Sequence, residues 1–214
     1  MSESIARLKE AIVKYDKNLA RQMAAAAIEE GIDPGEILDG TTKVIRKIGD
    51  GFAEGELFLP DLVGAASAMS EAISIVEKEI EKSGKKVEKI GTVVLGTVKG
   101  DIHDIGKTMV KTFLVAEDFR VIDLGVDVAS EEFIKAIEKY NPEILALSAL
   151  MTTTIAEQRK IIETLKDKEI RDKVKVIIGG AATNKEFAAE IFADGYEATA
   201  PRAPKLCKRL LGKE

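Results

Sequence analysis

Tryptophan is absent from this chain, and histidine and cysteine occur once each. The lone Cys207 rules out a disulfide framework within the chain. The lone His103 rules out any metal site built from several imidazoles. Aromatic residues make up only 5%, so the core has to be built from Ala, Ile, Leu and Val. Basic residues do not exceed acidic ones: 32 Lys and Arg stand against 37 Asp and Glu, a net charge of −5. That balance argues against nucleic acid as a partner. No uninterrupted apolar run reaches roughly 18 residues, so no membrane partner is expected. The start, Met1-Ser2-Glu3-Ser4, is polar and acidic and does not read as a signal peptide. With one thiol and no export signal, a cytoplasmic location is expected.

What is present suits a globular protein: 45% hydrophobic and 32% charged residues over 214 positions. The first 85 residues carry helical periodicity throughout. Ile5, Leu8 and Ile12 share one face, and Leu19, Met23 and Ala27 repeat the spacing. Asp33-Pro34-Gly35-Glu36 reads as a helix start, with Asp33 as the cap, followed by Val44, Ile48 and Phe52. After Pro60 a long stripe runs through Leu62, Ala65, Met69, Ile73, Val76 and Ile80. Four amphipathic helices with short connections predict a small bundle over 1–85.

Ser83-Gly84-Lys85-Lys86 reads as a linker, and the period changes beyond it. Apolar runs of strand length occur at 90–98, 120–124, 144–148 and 174–178, with a short fifth near 196–198. Helical segments separate them, and a last helix runs to Leu211. Strands alternating with helices predict a doubly wound α/β domain over 86–214, with a five-stranded parallel sheet of the Rossmann or flavodoxin kind.

One stretch stands out: Gly100-Asp101-Ile102-His103-Asp104-Ile105-Gly106, between the first of these strands and a helix. An imidazole on such a loop, with an aspartate two residues earlier, is placed like a metal ligand and the group that orients it. A lone histidine can equally be structural. Further along stand Ser148-Ala149-Leu150, after 41 intervening residues, and Gly179-Gly180, after 28 more.

Asp-x-His-x-x-Gly, then Ser-x-Leu, then Gly-Gly at these distances resembles the cobalamin-binding signature of corrinoid proteins of methyltransferase systems, including the cobalamin module of methionine synthase. The resemblance implies a cobalamin or related corrinoid cofactor. His103 would ligate cobalt in place of the cofactor's own base, and Asp101 would accept the other ring N–H. Thr154 matches the serine that closes a catalytic triad in methionine synthase; the hydroxyl is kept and the residue differs. Ser148, Leu150 and Thr152, Gly179 and Gly180, and more loosely Ala200, fall where the family receives the nucleotide tail. Gly100 and Gly106, beside Ile102 and Asp104, fit tight turning and close approach of the backbone to a bulky ligand.

Phe52-Ala53-Glu54-Gly55-Glu56-Leu57-Phe58-Leu59-Pro60 is similar to the family's segment capping the upper face of the corrin. By that match Phe52 and Leu59 cover the cofactor with Leu62 nearby, although periodicity alone makes them bundle core. The function implied is a methyl carrier cycling between Co(I) and methyl-Co(III). A substrate-specific methyltransferase would load it, a second would pass the methyl group to a thiol or pterin, and a reductive activator would restore it. Such a chain is a carrier subunit rather than an enzyme by itself. A corrinoid-binding sensor and the small subunit of an adenosylcobalamin-dependent mutase share the signature and stand as alternatives.

Two other readings fail on spacing. Gly106-Lys107-Thr108 looks like the end of a phosphate-binding loop, but the required glycine position holds Asp101, whose charge would repel phosphate. No Gly-x-Gly-x-x-Gly follows the first strand, so dinucleotide binding lacks its turn.

Overall fold

The computed structural model describes residues 2–83 and 89–213. The linker expected at Ser83–Lys86 falls almost wholly outside them. By its contacts the chain divides into two compact units, Met1–Glu88 with Val115–Glu117, and Lys89–Leu114 with Asp118–Glu214.

The first unit holds four helices, α1 (Glu3–Val13), α2 (Lys17–Glu29), α3 (Pro34–Glu54) and α4 (Leu59–Ser83). Their starts are written in side chains. The hydroxyl of Ser2 accepts from the Ile5 N–H, and the Asp16 carboxylate accepts from the Leu19 N–H. Asp33 accepts from the Gly35 N–H, with Pro34 as the first helical residue. Each of these carboxylates or hydroxyls satisfies a backbone donor that the helix itself leaves unpaired. α3 stops at Gly55, whose φ of 80° favours glycine. The Phe58 N–H, just before α4, donates to Asp61. Leu8, Ile12, Ala20, Ala24, Ile37, Ile45, Leu62 and Met69 fill the core, and among the described residues no aromatic is buried there. The alanines of α2 let helices approach closely, which is how a core this poor in large residues still closes. α4 is long and apolar enough to cross a membrane by length and composition. Its apolar residues from Leu62 to Val76 are instead the buried seam of the bundle.

The second unit alternates strands and helices: β1 (Gly91–Thr97), α5 (Ile105–Ala116), β2 (Phe119–Asp123), α6 (Ser130–Tyr140), β3 (Ile144–Ser148), α7 (Ile155–Asp167), β4 (Lys175–Gly179), α8 (Lys185–Glu190), β5 (Gly195–Tyr196) and α9 (Ala203–Leu210). The five strands are all parallel, in the order β2-β1-β3-β4-β5. Alternate residues feed two separate cores. Val93, Leu95, Ile144 and Ala146 join Leu114, Phe119, Leu206 and Cys207 on one face. Val94, Leu145 and Leu147 join Phe133, Ile161 and Ile162 on the other. Burial on both faces is why these strands read as continuous apolar runs rather than alternating ones. Cys207 is fully buried, and burial pushes its thiol up to about 12.

Gly96 lies inside β1, as the 90–98 run implies, and a Cβ there would collide with the Phe133 ring at 2.7 Å. Gly106 is the second residue of α5 and makes no turn; a Cβ built on it meets nothing within 4 Å.

β1 is flanked by β2 on one side and β3 on the other, so the winding direction reverses between β1 and β3. Loops leaving the carboxyl ends of those two strands frame the crevice where ligands bind in open sheets of this type. Register places Thr97 beside Ser148, and Ser148 beside Gly179, in one row along that edge.

Glu169, just past α7, is exposed and held at a φ of 56°. Its N–H donates to the Lys166 carbonyl while that of Ile170 donates to Leu165, a helix stop that favours glycine. Glu169→Gly should therefore raise stability by about 0.5–1 kcal/mol. A thermal midpoint equal to or below the parent's would contradict this.

Candidate corrinoid site

The loop after β1 is fixed from several directions. Gly100 takes a φ of 79°, reversing the chain, and its N–H donates to Asp127 at 2.7 Å. The Asp127 N–H in turn donates to the Asp101 carbonyl at 2.9 Å. The hydroxyl of Thr97 donates to the His103 carbonyl at 2.9 Å.

Asp101 is completely buried, and five donors converge on it. Its Oδ1 accepts the His103 ring Nδ1–H at 2.7 Å and the His103 backbone N–H at 3.1 Å. Its Oδ2 accepts the Leu150 N–H at 2.8 Å, the Met151 N–H at 3.4 Å and the Thr154 hydroxyl at 2.7 Å. Burial alone would raise the pKa of this carboxyl; the bonds from His103, Thr154 and the backbone outweigh it and hold the group well below the usual carboxylate range. Asp101 is therefore ionised and accepts only. In the neutral imidazole the proton therefore sits on Nδ1, which leaves the lone pair on Nε2. The Thr154 hydroxyl also lies 3.0 Å from the Met151 carbonyl; its single proton goes to the nearer, charged acceptor. Thr154, Asp101 and His103 thus form one continuous hydrogen-bonded chain.

Lys107 is buried and bound to both oxygens of Asp123 at 2.7 Å. An already neutralised lysine is not available to phosphate, which agrees with setting the phosphate-loop reading aside.

The residues on these loops fit a corrinoid. The donor set offers one lone-pair nitrogen, and imidazole is a sound ligand for cobalt. The His103 side chain is about half exposed. Large apolar side chains stand exposed on the same loops: Ile102 (74%), Ile105, Val126, Leu150 and Met151. Exposed apolar groups on the segments that surround the Asp101–His103 pair in sequence and hydrogen bonding suit a broad macrocycle. Among these, the sequence pointed to Ile102 and Leu150. It missed Ile105, Val126 and Met151, which only the spatial meeting of three loops brings together.

The structure joins Gly100, Asp101, His103, Leu150 and Thr154 through bonds to one carboxylate or its loop. Asp104 and Thr152 are exposed on the same loops, and Ser148 and Gly179 lie in the edge row with Thr97. Gly180 follows, and Ala200 opens a short 3-10 turn after β5. Phe52, Leu59 and Leu62 belong to the helical unit. There Phe52 is half-buried near the end of α3, Leu59 is exposed at the start of α4, and Leu62 is bundle core at 1% exposure.

Comparison with known proteins is consistent with this geometry. Two family models, each described as a B12 binding domain, match residues 91–204 and 4–77. The trimethylamine corrinoid protein of Methanosarcina barkeri is 41% identical over 98% of this chain and 97% of its own length. A dimethylamine corrinoid protein of Methanosarcina acetivorans is 39% identical over 98% and 96%. A chain in the crystal structure of the methanol:cobalamin methyltransferase complex MtaBC from Methanosarcina barkeri superposes with a TM-score of 0.78 at 33% identity. That match covers all of this chain and 81% of the other. The chain belongs to the B12-binding corrinoid proteins of methyltransferase systems, and its cofactor is a cobalamin or related corrinoid.

Proposed function

We propose that this chain is the methyl-carrying subunit of a methyltransferase system whose donor is a small methylated compound, a methylamine in first place. The observation that carries the reading is His103, anchored through Nδ1 by a buried, ionised Asp101 and left with a lone pair on Nε2. When bound, the corrinoid supplies a metal that takes up a methyl group from one partner and releases it to another. The chain's own part is to hold and tune it. Asp101 fixes the ring orientation and increases the basicity of Nε2. Thr154 steadies Asp101 and can take up part of the charge change when the imidazole–metal bond forms or breaks. Gly100, Ile102 and Asp104 line the approach on one loop, Gly106 at the start of α5, and Leu150 on the next loop. Ser148, Thr152, Gly179, Gly180 and Ala200 receive the tail.

The helical unit serves as a cap. Phe52 and Leu59 are its contacts with the cofactor, and buried Leu62 supports them from within the bundle. An apolar cover keeps water and oxidants from the metal. The domain boundary is proposed at 85/86, which lies outside the described residues. The partners are a substrate-specific methyltransferase, a second methyltransferase delivering to a thiol or pterin, and a reductive activator. The chain alone is a carrier, and its compartment is the cytoplasm. Relatives named for trimethylamine and dimethylamine, and a structural match in a methanol system, share this architecture across different donors. That pattern supports donor choice by the partner rather than by this chain.

Reconstitution with hydroxocobalamin, followed by gel filtration and a visible spectrum, tests the reading. The parent should emerge coloured with one cobalt per chain. His103→Ala should show an altered spectrum and at least about tenfold slower methyl transfer. A colourless parent, or a variant with an unchanged spectrum and full transfer, would overturn it.

A further inference from the structure

Gln158, on the second turn of α7, is completely buried, and sequence reasoning gave it no role. Its side-chain amide donates to two backbone carbonyls on neighbouring strands, Leu147 at 3.0 Å on β3 and Gly179 at 3.3 Å on β4. Gly179 also accepts the N–H of Ala149 at 3.1 Å, so the two strand ends are tied together at one point. Among the described residues Oε1 has no partner. A buried amide with a bare oxygen costs free energy that an apolar side chain of similar length would not, so the two N–H bonds are what a glutamine contributes here.

Those bonds close a loop. The chain leaves β3 at Leu147–Ser148, passes through Ala149 to Thr154 and enters α7, where Gln158 reaches back to Leu147. Everything that holds Oδ2 of Asp101 lies inside that loop: the N–H groups of Leu150 and Met151 and the hydroxyl of Thr154. We propose that Gln158 is a positioning residue for the metal ligand: it staples the 147–158 segment, the segment fixes Asp101, and Asp101 fixes His103. The inference rests on the reading of His103 as the cobalt ligand. It adds a residue that touches neither His103 nor Asp101.

The test uses the full-length, cofactor-free protein, where His103 is the only imidazole and its ring nitrogens give unambiguous NMR signals. Gln158→Met removes both donors and keeps the volume. Amide hydrogen exchange at Leu150 should accelerate by about tenfold or more, while Val94 and Leu145 in the sheet interior keep their protection. The His103 ring signals should broaden or move as the Nδ1–H bond to Asp101 loosens. A folded variant with parental exchange at Leu150 and parental ring signals overturns the proposal, even if its thermal midpoint falls. Gln158→Glu, whose carboxyl offers at most one O–H donor where the amide offers two N–H donors, gives the same readouts if the first variant does not fold. Failure of both variants to fold also overturns it, since a residue acting only through this segment leaves the two cores standing. Because the readouts need no cofactor, a parent that failed to bind hydroxocobalamin would sink the carrier reading without altering them.

Discussion

Gly180→Ala should cost at least about 3 kcal/mol of stability or abolish soluble protein. A Cβ at this position would stand 1.8 Å from the Ala149 carbonyl oxygen and 2.6 Å from its carbon, and Gly180 already holds a φ of 121°. The obstacle is backbone at the end of β3, which cannot rotate away. Its neighbour Gly179 behaves differently: the nearest atom to a built Cβ is the Glu197 carbonyl oxygen at 3.7 Å, an ordinary contact. Gly179→Ala should leave the denaturation midpoint of the cofactor-free protein within about 1 kcal/mol of the parent. Its effect should appear as weaker loading of hydroxocobalamin, because only a ligand needs that space. Those two results together would divide the glycine pair into one residue that the chain requires for itself and one reserved for the cofactor. A Gly180→Ala protein with the parental midpoint would refute the steric argument. Parental loading by Gly179→Ala would remove Gly179 from the tail site.

Asp101→Asn should lose about 2–4 kcal/mol at neutral pH. However the amide is turned, its NH2 faces donors. On one side these are the N–H groups of Leu150 and Met151 with the Thr154 hydroxyl; on the other they are the ring and backbone N–H of His103. The hydroxyl can rotate and the imidazole can change tautomer, but a backbone N–H can do neither, so a buried donor pair faces itself. The loss should depend on pH. Folding holds the Asp101 carboxyl below the ordinary carboxylate range, so its stabilisation is complete above that range, near pH 4. It is lost as the pH falls through the lower folded value. The gap between parent and variant in urea midpoints should therefore be full at pH 7 and shrink in strong acid. A gap that stayed constant down to the acid limit of the folded protein would rule out Asp101 as its source.

Much of the fold was readable because each level of the sequence agreed with the next. Asp33, read as a cap, does cap a helix whose apolar stripe has the right period. The strand runs are apolar on both faces because both faces are buried. The limits were local. The fifth strand, expected near 196–198, holds only Gly195 and Tyr196, too short for its ends to be read closely, and nothing in the sequence marks Gly96 as the position on which the Phe133 ring packs. Within the site, the side chains His103, Asp101 and Thr154 could be named from the motif. The donors from Leu150 and Met151 could not, since any residue there supplies an N–H. Asp127 holds Gly100 across 27 positions of chain and Gln158 joins two strands; neither carries a motif. Gly106 belongs to a recognised pattern, yet it makes no turn, and the open space above it is its structural distinction.

The row formed by Thr97, Ser148 and Gly179 has a consequence for how such chains diverge. These residues are separated by 51 and 31 positions in sequence, yet adjacent strands bring them to about 4.8 Å spacings. Residues gained or lost in the outer turns of α6 or α7 leave the row untouched. One residue inserted within Ile144–Ser148 moves Ser148 by about 3.3 Å along the strand and turns it to the opposite face. Lineages descending from this architecture are therefore free to lengthen the stretches between motifs but not the strands that end in them. A search pattern with fixed gaps will miss distant members that one anchored on the ends of β1, β3 and β4 will find.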